Sequence, residues 1–156
     1  MRRIILLALL NFCASAMMAH GGHMATFKYQ ITSDQIVLEF NIENEVLDHF
    51  DLEKSCENYK VTTALCLLQY INKNAILKIE EEQVTFELLS SQKGEHFFTL
   101  KMIAKGDFSE SQTIWIKNTC FLKFDRRFEN RIMIQKEDFE KSYRLNRKNK
   151  KLTIDT

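Results

Sequence analysis

The alternation of apolar and polar residues is the feature of this sequence that most restricts its fold. Successive side chains of a β-strand point to opposite faces, so a period of two predicts strands with one buried face. Residues 35–43 show it most clearly, because Ile36, Leu38, Phe40 and Ile42 fall on one face. The same pattern predicts strands over residues 24–32, 35–43, 75–79, 84–89, 96–103, 113–117, 131–135, 139–145 and 151–154.

One segment departs from this period. Within residues 57–72, Val61, Leu65, Leu68 and Ile71 recur at helical spacing, which predicts a helix packed across one face or end of the sheets. Residues 45–55 show neither period and are predicted to form a loop, with a short helical turn as the alternative. We therefore expect a mostly β domain: an antiparallel sandwich with one inserted helix, or else an open barrel.

The amino terminus has the pattern of a cleavable secretory signal peptide over residues 1–19. It combines a basic start with a short apolar stretch and a small-residue cleavage site. Cleavage is expected either after the Ala14-Ser15-Ala16 site or after Ala19, which would make His20 the first mature residue. A lipid anchor on Cys13 is disfavoured because the bulky Phe12 precedes it. The pattern predicts a periplasmic or secreted protein.

The mature chain is predicted to form one domain over residues 20–156, since it contains no proline, only four glycines and no low-complexity linker. Loss of the leader leaves 20 basic against 21 acidic residues, a balance that does not indicate a nucleic-acid partner. The basic residues near the end read most simply as a charged hairpin tip, with attraction to anionic lipid as the alternative. They are Arg144, Arg147, Lys148, Lys150 and Lys151.

Three cysteines, Cys56, Cys66 and Cys120, remain after processing. An exported chain can form disulfides, but an odd number leaves at least one thiol unpaired. A helix over residues 57–72 would hold Cys56 and Cys66 too far apart to bridge easily. If a disulfide forms, the sequence therefore favours Cys56 with Cys120.

Histidines supply the candidate metal ligands. In His20-Gly21-Gly22-His23, cleavage after Ala19 would place an α-amine and an imidazole on His20, and the glycines would let His23 fold back onto the same ion. Such nitrogen ligands suit copper, nickel or zinc, whereas the alternative is an incidental pair at a solvated terminus. His49 stands between Asp48 and Asp51, either as a further ligand group or as part of a polar loop.

Catalytic motifs are missing from the sequence. It contains no G-x-S-x-G, no P-loop, no glycine-rich dinucleotide turn and no H-E-x-x-H. We therefore predict a protein that is not an enzyme. An enzyme with an unrecognised site is the most distant of the readings.

Taken together, these features resemble a family of small uncharacterised exported β domains of Gram-negative bacteria. Members are often encoded beside a hydrogenase/urease-accessory-type membrane permease. The resemblance is carried by His20-Gly21-Gly22-His23, the strand from residue 35, His49-Phe50, the helix leading into residues 75–79, Ile116-Lys117-Asn118-Thr119-Cys120-Phe121 and the closing strands from residue 131.

What this resemblance implies is an accessory role beside an inner-membrane permease. Relatives tend to have a histidine next to the arginine where this chain has Asp125 before Arg126. Since a carboxylate can also ligate a divalent ion, Asp125 joins His20, His23 and His49 as a predicted ligand. The rival hypothesis is an interaction or structural module of the periplasm or cell surface, in which a sheet edge or the helix docks a partner and the histidines have no metal role.

Overall fold

The computed structural model describes residues 23–50, 52, 62–110 and 112–156. Ten strands and two helices lie in these residues. The helices are α1 (Asn44–His49) and α2 (Thr63–Asn74). The strands are β1 (Met24–Ile31), β2 (Gln35–Glu43), β3 (Ala75–Ile79), β4 (Glu82–Val84), β5 (Glu87–Lys93), β6 (Phe97–Lys105), β7 (Thr113–Asn118), β8 (Glu129–Lys136), β9 (Phe139–Leu145) and β10 (Lys151–Asp155). The predicted leader and His20 lie outside the described residues.

The strands form two sheets. A six-stranded sheet has the order β5-β6-β2-β1-β8-β9, and a four-stranded sheet has the order β10-β7-β3-β4. This is the mostly β, sandwich-like fold that the alternation predicts. The expectation of purely antiparallel pairing is wrong at one place, because β1 and β8 run parallel from Met24 beside Glu129 to Ile31 beside Lys136. The chain reaches β8 from β7 of the other sheet, and a period of two carries no information about strand direction.

The core lies between the inner faces of the two sheets. On β1, β2 and β6 of the six-stranded sheet every second side chain is buried, as in Phe27 and Tyr29 of β1 and Leu38 and Phe40 of β2. The four-stranded sheet faces them with Leu77, Ile79, Ile114 and Ile116. Full burial of one such apolar side chain contributes about 1.5–3 kcal/mol, so the alternation is itself the main source of stability.

The prediction of one strand over residues 84–89 is wrong, because the chain changes sheets there. β4 ends at Val84 in the four-stranded sheet, and β5 begins at Glu87 in the six-stranded sheet. Between them, Asn72 of α2 donates from Nδ2 to the Phe86 carbonyl at 2.8 Å and accepts from the Phe86 N–H at 3.0 Å. Since a helix side chain uses both backbone groups of Phe86, they cannot join a strand ladder.

The two helical segments stand differently against the sequence prediction. Residues 44–49 form the short helix α1, in agreement with the short helical turn that the sequence allows within the loop over residues 45–55. α2 begins at Thr63, with the Thr62 hydroxyl accepting from the Leu65 N–H at 3.4 Å, and it ends at Asn74. Residues 57–61 of the predicted helix lie outside the described residues.

None of the helices in the described part of the chain is long and apolar enough to cross a membrane.

The buried face of α2 is rotated from the predicted stripe. Ala64, Leu67 and Ile71 point into the core, whereas Leu65 remains 40% exposed. The spacing of 64, 67 and 71 is as helical as the predicted spacing of 61, 65, 68 and 71. Periodicity therefore found the helix, but packing against the sheets decided which of two overlapping stripes is buried.

The predicted pairing of Cys120 with Cys56 is wrong. Cys120 is a free, fully buried thiol, and Cys66 is disulfide-bonded. The argument against Cys66 assumed a helix from residue 57, but α2 begins at Thr63. The partner of Cys66 lies outside the described residues. Burial raises the pKa of the Cys120 thiol far above its ordinary value, so this thiol stays protonated and is a poor nucleophile or metal ligand.

The turn between β3 and β4 is tied to the start of β7 by one carboxylate. Glu80 and Glu81 both have positive φ, at 47° and 73°. Glu80 Oε1 accepts from the backbone N–H groups of Gln112 at 2.6 Å and Thr113 at 2.7 Å. The Thr113 and then the Gln112 N–H lower the pKa of Glu80 below its ordinary value of 4.5. The charged form is thus the form that the fold stabilises.

Replacing Glu80 with glutamine is therefore expected to destabilise the protein at neutral pH and to have a smaller effect near pH 3. A carboxyl whose pKa is lowered on folding contributes stability above its unfolded pKa, and that contribution is lost as the pH falls through the folded value. Urea midpoints of wild type and Glu80→Gln at both pH values measure this. Glu82→Gln, in the neighbouring exposed strand, is the control. Equal effects of Glu80→Gln at the two pH values would contradict the assignment.

Candidate functional site

His23, just before β1, lies at a rim of the six-stranded sheet, with the Glu43 carboxylate beside it and the Asp125 carboxylate within electrostatic range. Its Nδ1 is 3.9 Å from Oε2 of Glu43, at the end of β2. Its ring packs edge-to-face on Phe124, with the ring centroids 5.5 Å apart, and its carbonyl accepts from the Glu129 N–H at 3.2 Å. The His23 and Glu43 side chains are 36% and 45% exposed, so both are open to solvent.

Asp125 is the second carboxylate at this rim and belongs to the turn between β7 and β8. Its Oδ1 accepts from the Arg127 N–H at 2.8 Å, and its Oδ2 is 3.9 Å from Arg127 Nη2. The Arg127 N–H holds the pKa of Asp125 below its ordinary value, with smaller electrostatic contributions from the Arg127 guanidinium, His23 and Arg147. Asp125 is therefore ionised at neutral pH and lies within electrostatic range of His23.

The fold thus places Asp125 within electrostatic range of His23, another predicted ligand, and adds Glu43, which the sequence pattern did not single out. Imidazole nitrogen and carboxylate oxygen are both ligands for divalent transition metals. Within the described residues, no group of three His, Cys, Asp or Glu side chains is positioned to hold a metal ion. His20, the remaining predicted ligand of this group, lies outside them.

The other histidines have local partners. His49 ends α1, and its Nδ1 lies 2.8 Å from the Glu45 carbonyl oxygen one turn earlier. His96 precedes β6, is 77% exposed, and places Nε2 3.9 Å from Glu95. The structure therefore gives His49 a role within its own helix, and no contact in the described residues joins it to His23.

A cleft of about 830 Å³ forms a second candidate site, which the sequence pattern missed. It lies where the end of α2 meets the connections that follow β7 and β9. Its lining residues are Phe50, Tyr70, Lys73, Asn74, Thr119, Leu122, Lys123, Arg147 and Lys150. We call it the basic cleft.

The interpretation of the terminal basic run as a hairpin tip is wrong, which is why the basic cleft was missed. β9 pairs with β8 in the six-stranded sheet, whereas β10 pairs with β7 in the four-stranded sheet. Residues 146–150 therefore connect the two sheets. Asn146 closes the connection by accepting on Oδ1 from the N–H groups of Lys148 at 3.0 Å and Asn149 at 3.1 Å.

A third feature, a cleft of about 780 Å³, lies at the opposite end of β3 and has an acidic lining that includes Glu80, Glu82, Asp107 and Glu110. Asp107 is held within its own loop, accepting from the Ser109 hydroxyl at 2.6 Å. The two ends of the four-stranded sheet therefore differ in sign of charge.

Comparison of this sequence with models of protein families finds no match, and no curated protein sequence matches it.

Proposed function

We propose that this protein is an exported accessory module without catalytic activity that binds a divalent transition metal at the rim of His23, Glu43 and Asp125, with His20 completing the ligand set that these three do not form by themselves. The observation that carries the proposal is the distance of 3.9 Å between His23 Nδ1 and Glu43 Oε2, with Asp125 near enough for the charges of Asp125 and His23 to interact. Copper, nickel and zinc are the candidate ions, and an inner-membrane permease or another envelope protein is the candidate recipient.

The chemistry of the rim supports exchange of the ion rather than permanent retention. One imidazole and two carboxylates on partly exposed side chains leave coordination positions for His20 and for water. Deprotonation of the ligands is coupled to binding, and Asp125 is already ionised at neutral pH. An open, incomplete ligand set of this kind suits a protein that passes an ion on.

Isothermal titration of the mature protein with Cu²⁺, Ni²⁺ and Zn²⁺ tests this proposal. We expect one ion per chain, and binding weakened by more than about tenfold in His23→Ala and in Asp125→Asn, because even groups that only support a ligand are worth 10–100-fold. His96→Ala removes an exposed histidine outside the rim and serves as the control. His49→Ala tests separately whether that histidine contributes.

Two outcomes would contradict the metal proposal. The first is an affinity in His23→Ala and Asp125→Asn equal to that of wild type. The second is the absence of any ion bound more tightly than the buffer allows. The mass of the purified mature chain, which shows whether it begins at Met17 or His20, establishes whether the α-amine of His20 is available.

A second candidate function, partner binding through a sheet edge, is supported by β5. This edge strand pairs with β6 alone among the described strands, and it exposes Leu89, while Phe97 of β6 is also exposed; the two side chains are 54% and 52% accessible. An exposed edge can accept a strand from a partner. Photo-cross-linking in cells from position 91 on β5, compared with Gln30 on the central strand β1, tests it. Equal cross-linking from both positions argues against edge recognition.

A further inference from the structure

We propose that the basic cleft binds an organic anion, namely a phosphate ester carried on an apolar or aromatic body. The basic cleft is separate from the rim of His23, Glu43 and Asp125, and ligand binding in the cleft does not depend on the proposed metal function.

The floor of the basic cleft is aromatic and partly open. Phe50 and Tyr70 line it, with ring centroids 5.2 Å apart, and both pack on the buried Phe121 at 4.8 Å and 5.1 Å. Leu122 completes the apolar surface. Rings held in place by a buried third ring form a fixed platform, so an apolar ligand body can pack on it without ordering the floor first.

The rim of the basic cleft is cationic. Lys73, Lys123, Arg147 and Lys150 all line it, and none of the nine lining residues is acidic. These four residues come from α2, from the turn after β7 and from the connection between β9 and β10. No ion pair within the described residues uses any of them. Asp125 lies near enough to Arg147 to be affected by its charge but does not line the cleft.

Two of the lining groups are fixed as directed donors. Arg147 donates from Nε to the Leu122 carbonyl at 2.6 Å and from Nη2 to the Lys123 carbonyl at 3.4 Å, which fixes the guanidinium plane and leaves Nη1 without an acceptor among the described residues. The Tyr70 hydroxyl accepts from the Phe121 N–H at 2.9 Å, and its own proton has no acceptor in the part of the chain that the structure describes. Burial raises the pKa of Tyr70, which keeps that proton in place.

Fixed N–H and O–H donors beside several ammonium groups are the chemistry that recognises phosphate oxygens. A volume of about 830 Å³ lies within the range of small-molecule sites. The apolar floor gives a reason for the ester: inorganic phosphate would leave it uncovered. The phosphate ester can come from a soluble metabolite or from a lipid head group, and both present the same oxygens.

Titration of the mature protein with 1-naphthyl phosphate, followed by NMR, tests the proposal. We expect sub-millimolar binding, and at least tenfold weaker binding of inorganic phosphate and of 1-naphthol. Lys150→Gln and Arg147→Gln should each weaken 1-naphthyl phosphate binding by about fivefold or more. Arg144→Gln is the matched control, because Arg144 is an exposed arginine of β9 whose Nη1 is 3.5 Å from Glu129.

Arg147 also donates hydrogen bonds to two backbone carbonyls, so the NMR spectra of Arg147→Gln and wild type are compared to check that the fold is unchanged. Lys150→Gln provides a variant without that structural role. Equal weakening by Arg144→Gln would show that only overall charge attracts the anion and would overturn the site. So would the absence of binding at millimolar 1-naphthyl phosphate.

Vesicle co-sedimentation separates the two sources of the phosphate ester. Binding to phosphatidylglycerol vesicles but not to phosphatidylcholine vesicles, lost in Lys150→Gln and displaced by 1-naphthyl phosphate, supports a lipid head group. Binding of 1-naphthyl phosphate without vesicle binding supports a soluble ester. Vesicle binding that 1-naphthyl phosphate does not displace would place the lipid contact elsewhere and count against the cleft.

Discussion

Replacement of Phe121 with alanine is expected to lower the free energy of unfolding by about 3–5 kcal/mol, the usual cost of truncating a buried phenylalanine. Phe121 is fully buried and packs on four other rings. The centroid distances are 5.9 Å to Phe40, 4.8 Å to Phe50, 5.1 Å to Tyr70 and 5.8 Å to Phe128. Its removal would leave a cavity at the point where the turn after β7 joins the core.

The comparison with alanine reports packing rather than backbone strain. Phe121 has a φ of 56°, and alanine carries the same Cβ, so the conformational cost of positive φ is similar in both residues. Phe121→Leu keeps most of the apolar volume and is expected to cost clearly less. Urea unfolding of the three proteins measures the difference. A loss below 1 kcal/mol in Phe121→Ala would mean that the ring cluster does not anchor this turn.

The Phe121 variants also have a functional consequence. Phe121 is followed in the same turn by Leu122 and Lys123, which line the basic cleft, and by Asp125, a proposed metal ligand. Because both candidate sites depend on this turn, we expect Phe121→Ala to weaken the binding of the metal ion and of 1-naphthyl phosphate together. A His23 variant should weaken only metal binding, and a Lys150 variant should weaken only 1-naphthyl phosphate binding.

Replacement of Asn118 with alanine is expected to cost roughly 2–4 kcal/mol, because two buried N–H hydrogens lose their acceptor, that of the Cys120 backbone and one of the two on Asn130 Nδ2. Asn118 and Asn130 are both fully buried. Asn118 Oδ1 accepts from the Cys120 N–H at 2.9 Å and from Asn130 Nδ2 at 3.0 Å. Asn130 Nδ2 also donates to the Cys120 carbonyl at 2.9 Å, so the pair links the end of β7 to β8 across the core.

Tyr29→Phe is the matched contrast to Asn118→Ala. The Tyr29 hydroxyl is buried and has no hydrogen-bond partner in the described part of the chain. Its removal should be neutral or stabilise by up to about 1 kcal/mol, since an unpaired buried hydroxyl is unfavourable. Urea unfolding of both variants tests the contrast. A large loss in Tyr29→Phe, or none in Asn118→Ala, would contradict this account of the buried polar groups.

The sequence by itself determined most of the strands and which face of each inner strand is buried. β2, β3 and β9 have the predicted bounds, and β1, β7 and β10 differ from theirs by one residue. Alternation is a local property that each strand carries on its own, since burial of one face is its main stabilising term. The mostly β sandwich follows directly from it.

Only the tertiary structure decided which strands are neighbours and which distant residues meet. Parallel pairing of β1 with β8, the change of sheet at Phe86 and the buried face of α2 depend on contacts between segments far apart in the chain. Both candidate sites are of this kind: Glu43 lies beside His23 in one, and α2 meets the β9–β10 connection in the other. Periodicity predicts which side of a strand faces the core, but it contains no information about which segment packs against that side.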